Sequence, residues 1–226
     1  MQETGTLSVV ATPIGNLGDI TLRALETLKQ ADAIACEDTR VSAKLLARFE
    51  ISKPLLIYNG VNARTQGARI LALLAEGKRI ALVTDAGTPG ISDPGTELVA
   101  KAREIGTRVE AIPGPSALAA ALSIAGLDTS EFVFLGFLPH KKGRQTAFKN
   151  IASEKRAVVF YESPHRVEKA LAALAELAPA RSVAVCRELT KIHEEVVRGT
   201  AQEALVHFKK YPDRVRGEFV VIVGPS

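Results

Sequence analysis

The chain has 226 residues, of which 46% are hydrophobic and 24% are charged, and its formal net charge is +4. These proportions are ordinary for a soluble globular protein, and a chain of this length can bury a substantial core. The most apolar segment, residues 116–127, is well short of the roughly 20 residues that span a bilayer, and residues 1–10 lack a signal-peptide pattern. We therefore expect a cytoplasmic protein with no membrane segment, in which Cys36 and Cys186 are reduced and buried.

In the first half of the chain, apolar runs with β-branched residues alternate with segments of helical periodicity. The predicted strands cover residues 7–12, 33–37, 54–58, 79–84 and 108–112. The predicted helices cover residues 21–30, 39–49, 62–77 and 96–106, with Asn62 as an N-cap and with Gly77 and Gly106 at C-termini. Apolar strands separated by helices predict a mainly parallel sheet that is covered on both faces.

The rigid segment 113–116, "PGPS", predicts a boundary between two α/β domains of similar size, residues 1–114 and 115–226. A helix of small residues is expected within residues 116–127. The strands predicted after it cover residues 132–137, 156–161, 182–188, 194–199 and 218–224, and the helices cover residues 144–153, 164–177 and 200–210. The closeness of the last two strands indicates antiparallel pairing in this half.

Loops rich in Gly, Pro, Ser and Asp follow all five predicted strands of the first half. These loops are residues 12–19, 36–40, 58–62, 84–95 and 113–117. Ligands of open α/β sheets bind beyond the carboxyl ends of the strands. Few side chains intervene in such loops, so backbone N–H and C=O groups can approach a ligand closely. The pattern predicts a ligand site built largely from backbone.

The class of ligand is narrowed by what these loops lack. The sequence has neither the G-x-G-x-x-G nor the G-x-x-x-x-G-K-[ST] pattern of phosphate-binding loops, and no cluster of His, Cys or Glu with the spacing of metal ligands. The loops also carry few basic residues, which disfavours a cofactor with phosphate groups. A neutral or cationic cofactor with an adenosine-like part fits better, and no metal is expected.

Six motifs occur in an order and spacing that resemble a known family. They are "TPIGNLGDIT" (12–21), "CEDTR" (36–40), "DAGTPGISDPG" (85–95), "PGPSA" (113–117), "GFLP" (136–139) and "FYESPHR" (160–166). The sequence resembles the ribosomal RNA small-subunit methyltransferase I family, in the tetrapyrrole-methylase (class III methyltransferase) superfamily. The resemblance implies 2′-O-methylation of a cytidine ribose in 16S rRNA near the decoding centre, with S-adenosylmethionine as cofactor. It also implies a cofactor cleft between two α/β domains, a homodimer, and 16S rRNA of the 30S subunit as partner.

The same resemblance implies which residues form the cofactor site. Carried over by motif, these are Pro13, Asp85, Ala86, Gly87, Thr88, Ile91, Ser92, Ser116, Ala117, Phe137 and Leu138. Adenine prefers apolar walls and backbone hydrogen bonds, which Ile91, Ala117 and Phe137 with their neighbours can supply. Core packing is an equally good explanation for Phe137.

Transfer of a methyl group to a ribose hydroxyl requires a positioned oxygen and a group that removes its proton. The candidate bases are Glu37, Asp38, Glu162 and His165, and the candidate cations near the reacting groups are Arg40 and Arg166. Asp38 is equally suited to capping the helix that begins near Thr39, Glu162 to an exposed ion pair with Arg166, and His165 to the surface.

Two basic segments, residues 140–149 and 208–217, hold much of the positive charge. The expected RNA contacts are Lys141, Lys142, Arg144, Arg187 and Lys191, although Lys191 or Arg187 is also suited to pairing with Glu188. Solvated surface is the alternative interpretation of both basic segments. Family members often continue into a helical C-terminal extension that is not part of this sequence. We therefore expect the two basic segments, rather than such an extension, to contact the RNA.

The sequence also departs from the family after the third strand, where it reads "YNGVNA" (58–63) in place of an H-x-H-N-E type stretch. Two alternative functions stay open at this point. One is a methyltransferase of the same fold that acts on a small molecule such as a tetrapyrrole. The other is a non-catalytic module that binds RNA or a ribosomal subunit.

Overall fold

The computed structural model describes residues 5–226, which divide between Ser116 and Ala117 into two compact units. Unit 1 comprises the described residues up to Ser116, and unit 2 those from Ala117 onward. Each unit contains one five-stranded sheet with helices between its strands, so the expected α/β class is confirmed. Across residues 5–226, no helix combines the length and the apolar character that crossing a membrane requires.

The sheet of unit 1 is entirely parallel. Its strands are β1 (Thr6–Val10), β2 (Ala33–Cys36), β3 (Leu55–Ile57), β4 (Arg79–Leu82) and β5 (Arg108–Ile112). They lie in the order β3-β2-β4-β1-β5. The helices that connect them are α1 (Leu22–Gln30), α2 (Thr39–Arg48), α3 (Ala63–Ala75) and α4 (Gly95–Glu104).

The strand order decides which face of the sheet each helix covers. The connections from β1 to β2 and on to β3 run toward one side of the sheet, whereas those to β4 and β5 run toward the other. Right-handed crossovers then place α1 and α2 on one face and α3 and α4 on the opposite face. Accordingly, Leu28 packs in a cluster with Val10, whereas Leu74 and Leu98 pack in another with Leu7. The predicted parallel sheet with two covered faces is confirmed.

The helix ends follow the sequence signals with one difference. Gly77 and Gly106 have φ angles of +85° and +76° just beyond α3 and α4, where a left-handed residue was predicted. Asn62 is the N-cap residue of α3, but its side chain makes no capping bond to that helix. Its Oδ1 accepts instead from the N–H of Asn59, at 3.0 Å, which fixes the turn that precedes the helix.

The sheet of unit 2 is mixed. Its strands are β6 (Phe132–Phe137), β7 (Ala157–Glu162), β8 (Ser182–Arg187), β9 (Glu195–Thr200) and β10 (Phe219–Val223), and its helices are α5 (Ala117–Ile124), α6 (Arg144–Ser153), α7 (Pro164–Leu177) and α8 (Ala201–Lys210). The strand order is β6-β7-β10-β8-β9, with β6 and β7 parallel and the other pairs antiparallel. Antiparallel pairing was predicted for this half, but β9 and β10 are not partners, because β8 lies between them.

The termini of four strands lie side by side at one end of this sheet, which we call the sheet edge: β7 and β8 end there, and β9 and β10 begin there. Phe219 lies opposite both Glu162 and Arg187, and Arg187 lies opposite Glu195. Residues directly opposite each other point their side chains to the same face. We call these four residues the edge row. The row is continuous with a core face that buries Phe160, and within it Glu162 and Arg187 are buried, whereas Glu195 is half-buried.

Candidate functional site

The carboxyl edge of the unit 1 sheet is where its loops converge. The connection that follows β1 leads to the face that α1 covers, and the connection that follows β4 leads to the face that α4 covers. Neighbouring parallel strands whose connections diverge in this way leave a crevice at their carboxyl ends. In this sheet the crevice lies between β1 and β4, so the loops at residues 12–19 and 84–95 face each other.

Backbone hydrogen bonds join these two loops. Thr12 and Gly87 exchange N–H···O bonds of 2.9 and 3.0 Å, and the Thr12 hydroxyl donates to the carbonyl of Thr84 at 3.0 Å. Gly87 has a φ of +87°, a conformation that an L-residue adopts only with strain. The Thr88 hydroxyl donates to the carbonyl of Pro115 at 3.1 Å, which adds the loop after β5. Three loops are thus held together largely through main chain.

The second half of loop 84–95 is a tight turn around Asp93. Its carboxylate accepts from the N–H groups of Gly90 at 2.8 Å and Gly95 at 2.7 Å. Ser92 has a φ of +64°, and Ile91 is 41% exposed at the tip. The glycines of this loop permit its left-handed turns at Gly87 and Gly90, and the scarcity of large side chains leaves Ile91 and backbone groups accessible.

The cofactor residues expected in unit 1 all lie at this edge. Asp85, Ala86, Ile91 and Ser92 are exposed, Thr88 and Ser116 are half-buried, and Pro13 and Gly87 are buried. The backbone N–H of Asp38 donates to the carboxylate of Asp85 at 3.1 Å, which brings the loop after β2 to the same place. Although Asp85 is exposed overall, partial desolvation of its carboxylate raises the pKa of this residue.

In the structure, Asp38 caps α2, which is one of the two roles that the sequence left open. Its carboxylate accepts from the N–H of Arg40 at 2.8 Å and so caps α2. It also forms an ion pair of 2.6 Å with the exposed guanidinium of Arg40. These bonds lower the pKa of Asp38 to about 2. A carboxylate that holds a proton so weakly is a poor general base at neutral pH.

Glu37 is in a different environment, although it is the adjacent residue. It is half-buried, and its Oε1 accepts a hydrogen bond from the hydroxyl of Thr84. Burial raises the pKa of Glu37, and the nearby charges of Asp93 and Asp85 add to that effect. A carboxylate with a raised pKa takes up a proton more readily, so Glu37 is better suited to proton transfer than Asp38.

In unit 2, Glu162 is a buried member of the edge row. Its side chain is 0% exposed and lies 2.6 Å from Nη2 of Arg144 and 2.9 Å from Nη2 of Arg166. The N–H of Ser163 donates to the same carboxylate at 2.8 Å. The alternative of an exposed pair with Arg166 is therefore wrong about exposure, since the pair is enclosed and has a third member. A carboxylate so engaged is badly placed to accept a substrate proton.

The remaining cofactor and catalytic candidates of unit 2 are divided between surface and core. Phe137 is 57% exposed and packs edge-on against Tyr161, with 5.4 Å between ring centroids. Leu138 is 2% exposed and belongs to the hydrophobic core, so its side chain does not line a surface site. Ala117 is the half-buried first residue of α5, and His165 is exposed on α7.

The five expected RNA contacts fall into two classes. Lys141 and Lys142 are exposed in the loop before α6. Arg144, Arg187 and Lys191 instead form ion pairs within unit 2. Arg144 pairs with Glu162, Arg187 with Glu195 at 3.2 Å, and Lys191 with Glu188 at 2.8 Å and Glu218 at 3.0 Å. Of these five residues, Lys141 and Lys142 are therefore the ones that present exposed positive charge to a polyanion.

Sequence reasoning missed Thr12, Thr84 and Asp93, which hold the unit 1 loops in place. Thr12 and Thr84 are buried hydroxyl residues just beyond the ends of β1 and β4, whereas Asp93 lies in the turn just before α4. A buried hydroxyl just beyond a strand indicates a loop that is bonded to a neighbouring loop, as Thr12 and Thr84 show. It also missed Glu195, whose partners lie on three different elements.

Comparison with known proteins identifies the family. The family model "Tetrapyrrole (Corrin/Porphyrin) Methylases" matches residues 6–205. Ribosomal RNA small subunit methyltransferase I of Thermotoga maritima is 46% identical over 219 residues, which are 97% of this chain and 98% of that protein. The protein of the same name from Halalkalibacterium halodurans is 50% identical over 220 residues, 97% of this chain and 75% of that protein.

Solved structures of lower identity show the same fold. A cobalt precorrin-4 methyltransferase of cobalamin biosynthesis superposes with a TM-score of 0.72 at 20% identity, covering 97% of this chain and 94% of that one. Uroporphyrin-III C-methyltransferase from Thermus thermophilus, complexed with S-adenosylhomocysteine, gives 0.67 at 21% identity and 97% of each chain. The chain therefore belongs to the tetrapyrrole methylase family and, within it, to the ribosomal RNA small subunit methyltransferase I proteins.

Proposed function

We propose that this protein transfers a methyl group from S-adenosylmethionine to the 2′-oxygen of a cytidine ribose in small-subunit ribosomal RNA. The observation that carries the proposal is the match to relatives named for methylation of this RNA, which extends through both units. The ribose position, the cytidine and a place near the decoding centre follow from the motif resemblance. A cytoplasmic homodimer that acts on the 30S subunit is part of the same proposal.

The unit 1 edge fits S-adenosylmethionine chemically. When bound, the cofactor supplies an electrophilic methyl carbon on a cationic sulfonium. The exposed carboxylate of Asp85 suits a cationic ligand, and the exposed Ile91 suits an adenine face. Arg40, the cation of the "CEDTR" loop, is already paired with Asp38, so the edge does not favour a phosphate-bearing cofactor. The turn from Asp85 to Thr88 is the segment we assign to the cofactor.

We assign the proton transfer to Glu37. Its half-buried carboxylate is held by the Thr84 hydroxyl, and its raised pKa favours uptake of a proton from a weakly acidic alcohol. Asp38 and Arg40 then have structural roles, because Asp38 caps α2 and Arg40 forms an ion pair with it. Glu162 and Arg166 organise the edge of unit 2 and have no direct chemical part in this assignment.

The RNA is expected to contact unit 2 through the exposed lysines before α6. Glu162 holds Arg144, the first residue of α6, so the loop that carries Lys141 and Lys142 is fixed at the sheet edge. An anchored pair of lysines binds phosphates at a lower entropic cost than a mobile tail. Binding of this kind weakens steeply with salt.

The first test is a methyl-transfer assay with tritiated S-adenosylmethionine and 30S subunits that lack the modification. A methyl group on a ribose 2′-oxygen blocks alkaline cleavage of the adjoining phosphodiester, so label should be recovered in an alkali-resistant dinucleotide. Label in alkali-sensitive mononucleotides would indicate base methylation and contradict the ribose assignment. Absence of label from RNA, with cofactor binding intact in calorimetry, would overturn the RNA assignment.

A further inference from the structure

A cleft of about 770 Å³ lies at the edge of the unit 2 sheet where β8 ends and β9 begins. Its walls are residues 187–188 and 192–195 on one side and residues 213, 214 and 216 on the other. The volume is within the range of sites for small organic ligands. Arg187 and Glu195 of the edge row form part of its lining, so the cleft continues the edge that carries Arg144 and Glu162.

Hydrogen bonds fix the position of Arg187 at this cleft. Its side chain is 8% exposed, and its Nη1 donates to Oε2 of Glu195 at 3.2 Å. Oε1 of the same carboxylate bonds Arg214 and lies 3.0 Å from Nε2 of His207. Among the described residues, Nε of Arg187 is buried and has no hydrogen-bond acceptor. A buried guanidinium donor without an acceptor is costly, and turning the Arg187 side chain toward the cleft would let a ligand acceptor relieve that cost.

The charge of the lining indicates what kind of ligand fits. Three arginines face three glutamates and one aspartate, together with one histidine and one isoleucine. Positive and negative groups nearly balance, so the cleft is poorly suited to a phosphate, which needs a clear excess of positive charge. It is suited to a neutral ligand that offers acceptors to arginine and a donor to a carboxylate.

A nucleobase with an exocyclic amine next to a ring acceptor has that pattern. Arginine donates to base carbonyls and ring nitrogens, and glutamate accepts from the amine of cytosine. Ile192, at the rim of the cleft, is 98% exposed and offers an apolar contact to a base face. Recognition of RNA sequence usually targets unpaired bases that have left the stack. We propose that this cleft binds one unpaired, amine-bearing base of the RNA substrate, cytosine being the best match.

This inference rests on the proposed RNA substrate, and its test separates the two. Wild-type protein that transfers no methyl group to 30S subunits refutes the proposed function, whatever the cleft binds. With an active wild type, Arg187→Lys retains the charge but removes Nε and the second Nη donor. We expect KM for 30S subunits to rise about tenfold, as for loss of one base contact, with kcat and cofactor affinity unchanged. The matched control is Arg156→Lys, because Arg156 also pairs with a glutamate but precedes β7, at the opposite edge of the sheet.

A direct readout is the NMR signal of the Arg187 Nε–Hε group, assigned by its loss in Arg187→Lys. Cytidine should shift this signal in a saturable way, whereas uridine, which lacks the amine, should shift it less. A response to inorganic phosphate but not to cytidine would make the cleft a phosphate site and overturn the proposal. Equal responses to uridine and cytidine would also overturn it, as would an unchanged KM in Arg187→Lys together with no cytidine response.

Discussion

The carboxylate of Glu162, at the end of β7, lies 2.6 Å from the guanidinium of Arg144, the first residue of α6. The side chains are 0% and 15% exposed. We expect Glu162→Gln to lower the free energy of unfolding by about 3 kcal/mol, because it leaves two enclosed arginines without their carboxylate. Urea unfolding followed by circular dichroism measures the change.

Glu154→Gln is the control for this prediction. Glu154 pairs with Arg156 on the surface, so its loss should change stability little. If Glu162→Gln instead unfolds like the wild type but loses kcat, Glu162 is a chemical participant and its positioning assignment is wrong.

Most of the fold could be predicted from the sequence, because its strands are continuous apolar runs and its helices have clear end signals at residues such as Gly77 and Gly106. The ion pair between Glu162 and Arg144 could not be predicted in this way. The spacing of four residues indicated only the pair of Glu162 with Arg166, whereas Arg144 arrives through the packing of α6 against the sheet edge. Similarly, the separation of β9 from β10 depends on the insertion of β8 between them, which local sequence does not encode.

Residue type and motif assigned the candidate site to the loops that converge at the carboxyl end of the unit 1 sheet, but they did not distinguish between its acidic residues. Glu37 and Asp38 are adjacent in sequence, yet burial raises the pKa of Glu37 and the bonds from Arg40 lower that of Asp38. This difference arises from Thr84 and from the start of α2, and neither contact is visible in the spacing of "CEDTR".

The opposite shifts at Glu37 and Asp38 predict stability changes of opposite sign. The folded pKa of Glu37 is raised, so ionisation of this residue disfavours the folded state once the pH exceeds the unfolded pKa. The difference in free energy of unfolding between Glu37→Gln and the wild type should therefore favour the variant more at pH 7 than at pH 4. Its single-turnover methyl-transfer rate should fall roughly 10²- to 10⁴-fold, as expected for loss of a general base.

Asp38→Asn is the paired variant. The folded pKa of Asp38 is lowered to about 2, so its stabilising effect is present above the unfolded pKa and is lost as the pH falls toward 2. Asp38→Asn should be less stable than the wild type at pH 7 and converge with it in acid. Denaturant titrations across this pH range measure both effects. A difference from the wild type that disfavours Glu37→Gln more at pH 7 than at pH 4 would contradict the assigned shift.

Gly87→Ala tests the connection between the loops after β1 and β4. A Cβ at Gly87 would meet no atom closer than 3.5 Å, so the cost is mainly the φ of +87°, about 1 kcal/mol. Gly106→Ala has the same backbone penalty at a φ of +76°, and no atom lies within 4 Å of its Cβ position. Both variants should lose similar stability in thermal unfolding.

The two glycine variants should differ in cofactor affinity. Gly87 exchanges backbone bonds with Thr12, so its distortion should raise Kd for S-adenosylmethionine about tenfold, the effect of losing one hydrogen bond. Calorimetry should find Gly106→Ala unchanged. Equal cofactor affinity in both variants would remove loop 84–95 from the proposed site.

Replacement of both Lys141 and Lys142 by Ala should weaken RNA binding and reduce its dependence on salt. Loss of two phosphate contacts lowers the slope of log K against log [salt] by about 1.4 to 1.8. Filter binding of 30S subunits at several KCl concentrations measures the slope. The same replacement of Lys29 and Lys78, exposed residues of unit 1, removes equal charge elsewhere and should leave the slope unchanged.

The place of β10 has a consequence for how the protein is made. The strand is the tenth in sequence order, yet it lies between β7 and β8 in the middle of its sheet. During synthesis, β6 with β7 and β8 with β9 remain separate ribbons until residues 219–223 leave the ribosome, whereas all strands of unit 1 precede residue 113. Unit 1 can thus fold on the ribosome. In unit 2, the pairing of β10 with β7 and β8 becomes the slow step of folding, during which unpaired strands are exposed to aggregation.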